Sequence, residues 1–293
     1  MLAYKNKALC KVRTITTFLS LTSQKQHWHQ EILQASTFCA ELAHEFQTNH
    51  YQVQSVRIVT NPFGEYLDTT NIDTARADLL FLSELLRSTQ SPKLRIRFAI
   101  GEAKTTQEIA LLPELIQEFG DLCNACVNVG RDELGILDNE RIELAAEAVK
   151  KISQITQRGE GNFNFTVNFN CKPLIPYFPA SYHQRELGNK FVIGLETPDL
   201  LLAALEDFNR SATSTNHNQR HHGYYGVMSR ALNYHIAAID SIVKQTSINM
   251  PFVFAGVDSS AAPSKIVRAC VQFIRRWELP ILAQRARLRR LHY

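Results

Sequence analysis

The chain has 293 residues, 45% hydrophobic and 20% charged, with a formal net charge of +4. Such a composition supports a sizeable buried core in one large domain or two small ones, and excludes a disordered tail protein, a collagen-like chain and a disulfide mini-scaffold. The basicity is local: residues 275–293 carry six arginines against one acid, Glu278, which leaves residues 1–274 at about −1, so the body has no field suited to nucleic acid.

The first residues are basic (Lys5, Lys7, Lys11, Arg13), with no acid before Glu31. That loosely resembles a transit peptide, but residues 12–21 alternate like a strand, and no apolar stretch suits a signal peptide or a membrane span. The expectation is a cytoplasmic protein without membrane or nucleic-acid partners. Strand-like runs follow at 12–19, 52–60, 94–100, 122–129, 162–171, 190–196 and 252–257, rich in Val, Ile, Phe and Thr and flanked by turn residues.

Apolar stripes at helical spacing lie between them. Trp28, Ile32, Ala35, Cys39, Leu42 and Phe46 form the first, opened by a capping-box pattern of Ser23 and Gln26. Ile142, Ala145, Val149 and Ile152 form the second; Val227, Ala231, Tyr234, Ala238 and Ile242 the third. Ile266, Cys270, Phe273 and Trp277 form the fourth, stopped by Pro280. Residues 209–222 are polar and read as an exposed loop, with His221 and His222 as surface groups. The alternation predicts an α/β fold with a largely parallel sheet, a single domain over 1–278, and a basic tail over 279–293.

Six cysteines in a chain of this length do not make a disulfide framework. Cys39 and Cys270 have core spacing. In Cys123-Asn124-Ala125-Cys126-Val127-Asn128 the surroundings are β-like, so the two sulfurs point to opposite faces and a redox dithiol is not expected, and with no second pair at suitable spacing neither is a zinc site. Cys126 then stands beside Asn124 and Asn128, either as an inert buried thiol or as a nucleophile.

The run 161–171 (GNFNFTVNFNC) sets Phe163, Phe165, Val167 and Phe169 on one face, and Asn162, Asn164, Thr166, Asn168 and Asn170 on the other. Asparagine is a poor strand former. Such a face is either solvated or lines a polar barrel lumen, where carboxamides offer donors and acceptors without charge. Arg95 and Arg97 share a face of their strand and Arg57 is placed similarly, which suits a solvated face or a guanidinium lining for a carboxylate or phosphate. Glu196, Asp258 and Asn61 follow strands directly, at the carboxyl edge where parallel α/β folds bind ligands. Thr197-Pro198 opens a helix after Glu196. No Walker loop, GxGxxG, GxSxG elbow or HExxH occurs.

Several of these stretches together resemble one uncharacterised family, labelled "PFL family protein" (domain of unknown function 711). They are Arg13-Thr14-Ile15-Thr16, Thr60-Asn61-Pro62-Phe63-Gly64-Glu65, residues 123–130, residues 161–165, residues 191–196 and residues 254–260, and the resemblance spans about residues 10–265. It implies a pyruvate formate-lyase-like β/α barrel of ten strands. Seven strand candidates and an unpatterned end predict that this barrel is incomplete at the C-terminus. Glycyl radical enzymes of that fold carry an Arg-Val-x-Gly-Tyr-like motif; Arg220-His221-His222-Gly223-Tyr224 departs from it, so radical chemistry is not expected.

The functional expectation is an enzyme acting on a small polar or anionic metabolite. Cys126, Glu196 and Asp258 would be the catalytic groups, with Glu196 and Asp258 as acid/base or metal-ligand candidates, and Asn61, Arg95, Arg97, Asn124, Asn128, Asn164 and Asn168 would hold the substrate. The alternative is a metabolite-binding or regulatory protein with the same pocket and no turnover. Cofactor and oligomeric state are left open.

Overall fold

The structure is a computed structural model that describes residues 3–89, 95–120, 122–211 and 217–260. Its strands are β1 (Lys11–Leu19), β2 (Val56–Thr60), β3 (Ile96–Glu102), β4 (Asn124–Val129), β5 (Phe165–Phe169), β6 (Lys190–Glu196) and β7 (Val253–Ser260). Its helices are α1 (Trp28–Thr48), α2 (Ile72–Thr89), α3 (Thr106–Phe119), α4 (Asn139–Ile155), α5 (Pro198–Ser211) and α6 (His217–Gln245). All seven strand-like runs of the sequence contain a strand. The expected stripe at 266–277 and the tail 279–293 lie outside the described residues.

The strands form one curled sheet, a half-barrel, in the order β5-β4-β3-β2-β1-β6-β7. Strands β1 to β5 run parallel, as helical crossovers require. The chain divides into two compact units. Among the described residues, the larger holds those of 12–194 and 242–258, and with them nearly all of the sheet; the smaller holds 3–11, 195–211, 217–241 and 259–260.

In the larger unit, α1 buries Trp28, Ile32, Ala35, Cys39, Leu42 and Phe46, the full stripe expected from spacing alone. Its start differs from expectation: a 3-10 turn (Lys25–His27) precedes it, and the capping residue His27 makes no side-chain cap bond, so the Ser23/Gln26 box does not form. A capping box does form on α3, where Thr105 accepts from the Glu108 amide and the Glu108 side chain reaches back to the Thr105 amide. Helix α4, packed on α3, turns Ala145, Ala148 and Ile152 inward and leaves Val149 39% exposed. Strand β5 is shorter than its sequence run; residues 157–164 form a 3-10 segment, which leaves Phe163 80% exposed.

In the smaller unit, the stretch expected as a loop is largely helical, since α5 continues to Ser211 and α6 begins at His217. The buried positions of α6 include Tyr224, Ala231, His235 and Ile239, about one residue round from the expected stripe. His235 can occupy a core position because its Nε2 donates to the Tyr4 carbonyl at 2.8 Å. Tyr234, at the rim, meets the Tyr4 ring edge-on with centroids 6.0 Å apart.

Among the described residues, no helix is long and apolar enough to cross a membrane.

Candidate functional site

Register shows which side chains share the inner face of the half-barrel. Phe18 pairs with Val59 and Val59 with Ala99, and these three with Val192 form an apolar patch. Leu174 and Phe178, from the segment between β5 and β6, pack on that patch and cover it. Ala99 pairs with Asn124, Cys126 with Thr166, and Asn128 with Asn168. The two strands rich in asparagine therefore present their amides to one common face. Asn168 Nδ2 donates to Asn128 Oδ1 at 2.9 Å and to the Ala180 carbonyl of the covering segment at 3.1 Å. Asn124 Nδ2 donates to the Phe98 carbonyl at 2.8 Å.

One glycine brings a carboxylate to this face. β3 shifts register between Ala99 and Gly101, so that Glu102 stands opposite Cys126. In a regular strand, residues 99 and 102 would point to opposite sides; the bulge turns Glu102 to the Ala99 side. Gly101 has φ +86, and a Cβ there would lie 2.6 Å from both the Thr60 and Asn61 carbonyl oxygens. Only glycine meets both demands.

Around Glu102, at the carboxyl ends of the strands, polar groups form a ring. Asn61 is fully buried: its Oδ1 accepts from the Leu21 amide at 2.8 Å, and its Nδ2 donates to the Leu21 carbonyl at 3.2 Å and to Glu65 at 2.9 Å. Glu65 accepts from Lys104 at 2.9 Å and lies 3.8 Å from Arg185. Arg141 donates to the Lys104 carbonyl at 2.7 Å and to the Ala103 carbonyl, and stands 3.4 Å from Glu102. Burial pushes the Glu65 carboxyl up, but Asn61, Lys104 and Arg185 outweigh it and hold the group below the usual range. At Glu102 the balance is reversed. Burial pushes its carboxyl above the usual range against the pull of Asn128, Arg141 and Lys104, and Glu108 adds to the rise.

His183 closes the ring. It is fully buried, its ring lies 6.1 Å from that of Phe18, and neither of its nitrogens has a hydrogen-bond partner among the described residues. Burial lowers its pKa to about 4, against the opposing pull of Glu186 and Glu65, so the imidazole is neutral at pH 7. Asn128 Nδ2 is also buried and has no partner at hydrogen-bond distance among the described residues, the Glu102 carboxyl being the group it acts on, and Arg141 Nε is buried without a partner too. Leaving a buried polar group unpaired costs about 1–3 kcal/mol, and three such groups in one ring mark a place where a ligand would supply what the chain does not.

Cys126 is fully buried, and burial, with Glu102 and Cys171 adding, raises its thiol well above the ordinary value. It is held as a thiol rather than as a thiolate. Tyr182, from the covering segment, is raised to about 12 by burial and by Glu102, Cys126 and Cys171, which places all of these groups in one electrostatic neighbourhood. Cys123 precedes β4 and is fully buried; burial pushes its thiol up too.

The remaining expected residues are placed as follows. Arg97 is in register with Arg57, at the amino ends of their strands. Arg95 precedes β3 and lines a cavity of about 600 Å³ with Leu86, Arg87, Ile96 and Phe98, a lining that does not include Arg97. Asn164 belongs to the 3-10 segment and its Nδ2 lies against Gly120 at the end of α3, which corrects its assignment to a strand face. Asp258 does not follow a strand: β7 continues to Ser260, and Asp258 is exposed within it, its carbonyl accepting from Tyr177 at 3.3 Å. Glu196 does end its strand, in the smaller unit, where Lys11 lies 3.5 Å from it and 3.9 Å from Asp199. α5 starts at Pro198 as expected, and the Thr197 hydroxyl pairs with Ser259 at 2.9 Å.

Residues 3–277 match the family model described as "Uncharacterised ACR (DUF711)". The chain belongs to this family. A comparison with curated proteins finds no match.

The sequence reading did not single out Glu102, Lys104, Arg141, Arg185 or His183. Glu102 had a signal, since Gly101-Glu102 ends a strand in the same way as Gly194-Leu195-Glu196. His183 had none: it sits in an irregular segment and becomes special only by being buried without a partner.

Proposed function

We propose that this protein is an enzyme that binds a small polar metabolite at the carboxyl edge of the half-barrel and exchanges a proton with it through Glu102. The supporting observation is the pair of buried, unpartnered groups, His183 and Asn128, in the same ring as a carboxyl whose proton is held unusually tightly. A neutral imidazole and a neutral amide suit a ligand with carbonyl or hydroxyl oxygens, and a carboxyl shifted toward neutral pH can donate or accept a proton in turn. Asn168 orients Asn128, while Lys104, Arg141 and Arg185 fix the carboxylates. The acid/base role passes from Glu196 and Asp258 to Glu102, and Cys126 is a buried neighbour rather than the attacking group. The segment 170–189, which carries His183 and Arg185, covers the site and is held there by Thr16 and Arg57 on Pro176, by Asn168 on Ala180 and by Arg185 on Leu21 and Glu65. The half-barrel is compatible with a pyruvate formate-lyase-like β/α barrel, and this reading invokes no glycyl radical.

The test is a thermal-shift screen of polar metabolites on the wild type, on His183→Phe and on Glu102→Gln. A ligand that binds only the native state raises Tm by mass action. The expected hits stabilise the wild type, lose their effect in His183→Phe, and still bind Glu102→Gln but are not turned over by it. Hits that bind His183→Phe as well as the wild type would remove the basis of the reading, and a metabolite bound but never converted by the wild type would leave a binding protein.

A further inference from the structure

The inner face has a second polar end, at the amino edge of the sheet, and its chemistry differs. Arg57 and Arg97 each stand second in their strands and pair in register, so their side chains leave neighbouring strands about 4.8 Å apart. Arg57 is 8% exposed. Among the described residues, one of its N–H donors, on Nη1, has an acceptor, the Pro176 carbonyl at 2.9 Å, and Nε is buried with none. The Phe178 ring lies 4.7 Å from the guanidinium carbon. Arg97 is exposed, and among the described residues no carboxylate pairs with either arginine. Beside them Thr14 and Thr16 place buried hydroxyls 3.1 Å apart, and Thr16 donates to the same Pro176 carbonyl.

Two adjacent guanidiniums, one of them desolvated, repel each other. Burial, with Arg13 and Arg97 adding, pulls the Arg57 pKa down to about 10. A latch on Pro176 would need one hydrogen bond, not a buried cation with an idle donor and a second cation next to it. Paired forks of N–H groups match the two oxygens of a carboxylate or phosphate.

We infer that Arg57 and Arg97 form a seat for a small oxyanion, a carboxylate or phosphate group, at the amino edge of the inner face. The seat is independent of the carboxyl-edge ring and does not rest on the function proposed for it. Its occupant bridges the two guanidiniums and gives Arg57 the acceptors it lacks.

The test titrates the full chain with inorganic phosphate and with malonate, by calorimetry and thermal shift, against chloride at equal ionic strength. The wild type should bind at least one of them saturably. Arg97→Gln, at an exposed position, should fold normally and bind about tenfold more weakly, as loss of a charge-assisted hydrogen bond predicts. Arg57→Lys keeps the charge but not the fork and should also lose affinity. The tighter of the two anions identifies the group. No saturable response beyond chloride, or unchanged affinity in Arg97→Gln, overturns the inference. So does loss of binding in His183→Phe with Arg97→Gln unaffected, because that would move the anion to the other edge.

Discussion

The two ends of the inner face use charge in opposite ways. At the carboxyl edge the ionic groups are matched: Glu65 meets Lys104 and Arg185, Glu102 meets Arg141, and what remains unpaired among the described residues is the His183 imidazole, the Asn128 amide and the Arg141 Nε–H. At the amino edge Arg57 and Arg97 stand in register, with no acid paired to either among the described residues. The apolar patch of Phe18, Val59, Ala99 and Val192 lies on the same face. The difference teaches what kind of ligand each end would take. A site that neutralises its own charges selects a polar, uncharged contact, whereas one that leaves cations unmatched selects an anion.

The largest expected effect comes from breaking the carboxyl edge at its geometric origin. Gly101→Ala should cost about 3 kcal/mol or more, because the new Cβ combines an unfavourable φ with contact against two backbone carbonyls. Chemical denaturation reads the loss, and a midpoint close to that of the wild type would mean that the bulge does not place Glu102.

The pH dependence of His183 comes next. Its folded pKa, about 4, lies below the ordinary 6.5. The unfolded chain therefore takes up a proton first as pH falls, and stability is lost between pH 6.5 and 4, by about 3 kcal/mol in all. His183→Phe should flatten that part of the stability profile in urea melts at pH 7, 5 and 4; an unchanged slope would assign the loss to other groups. Glu102 acts with the opposite sign. Its raised carboxyl contributes stability below the ordinary carboxylate pKa, and that contribution is lost as pH rises through its folded value.

The smallest effect sharpens the contrast between the ends. Arg97→Gln should change stability by about 0.5 kcal/mol or less, and in the direction of gain, because it removes a repulsion from an exposed position rather than a bond. A clear loss of stability would show that Arg97 has a structural role and that the two ends are less different than their charges suggest.

Much of the fold was legible from periodicity. The α1 stripe was read residue for residue, because a single buried helix face leaves a 3.6-residue rhythm that no other arrangement produces. The shared Asn face of β4 and β5 was legible for the same reason at period two, and Asn128 and Asn168 do meet. Where a local device intervened, the pattern misled. Asn164 left the strand because a 3-10 segment takes the residues before β5, and Asp258 stayed inside one because β7 runs past it.

The sequence by itself determined the α/β alternation, the seven strands, the family, and the polar character of one sheet face, since each is written in local spacing or composition. Only the tertiary structure decided which groups meet. Glu102 reaches the inner face through a register shift against a neighbouring strand. His183 is distinguished by the absence of any partner once it is buried, and Arg57 and Arg97 adjoin because β2 and β3 pair in register. Pairing between distant strands and desolvation by folded neighbours depend on long-range contacts, and these leave no periodic trace in the chain that makes them.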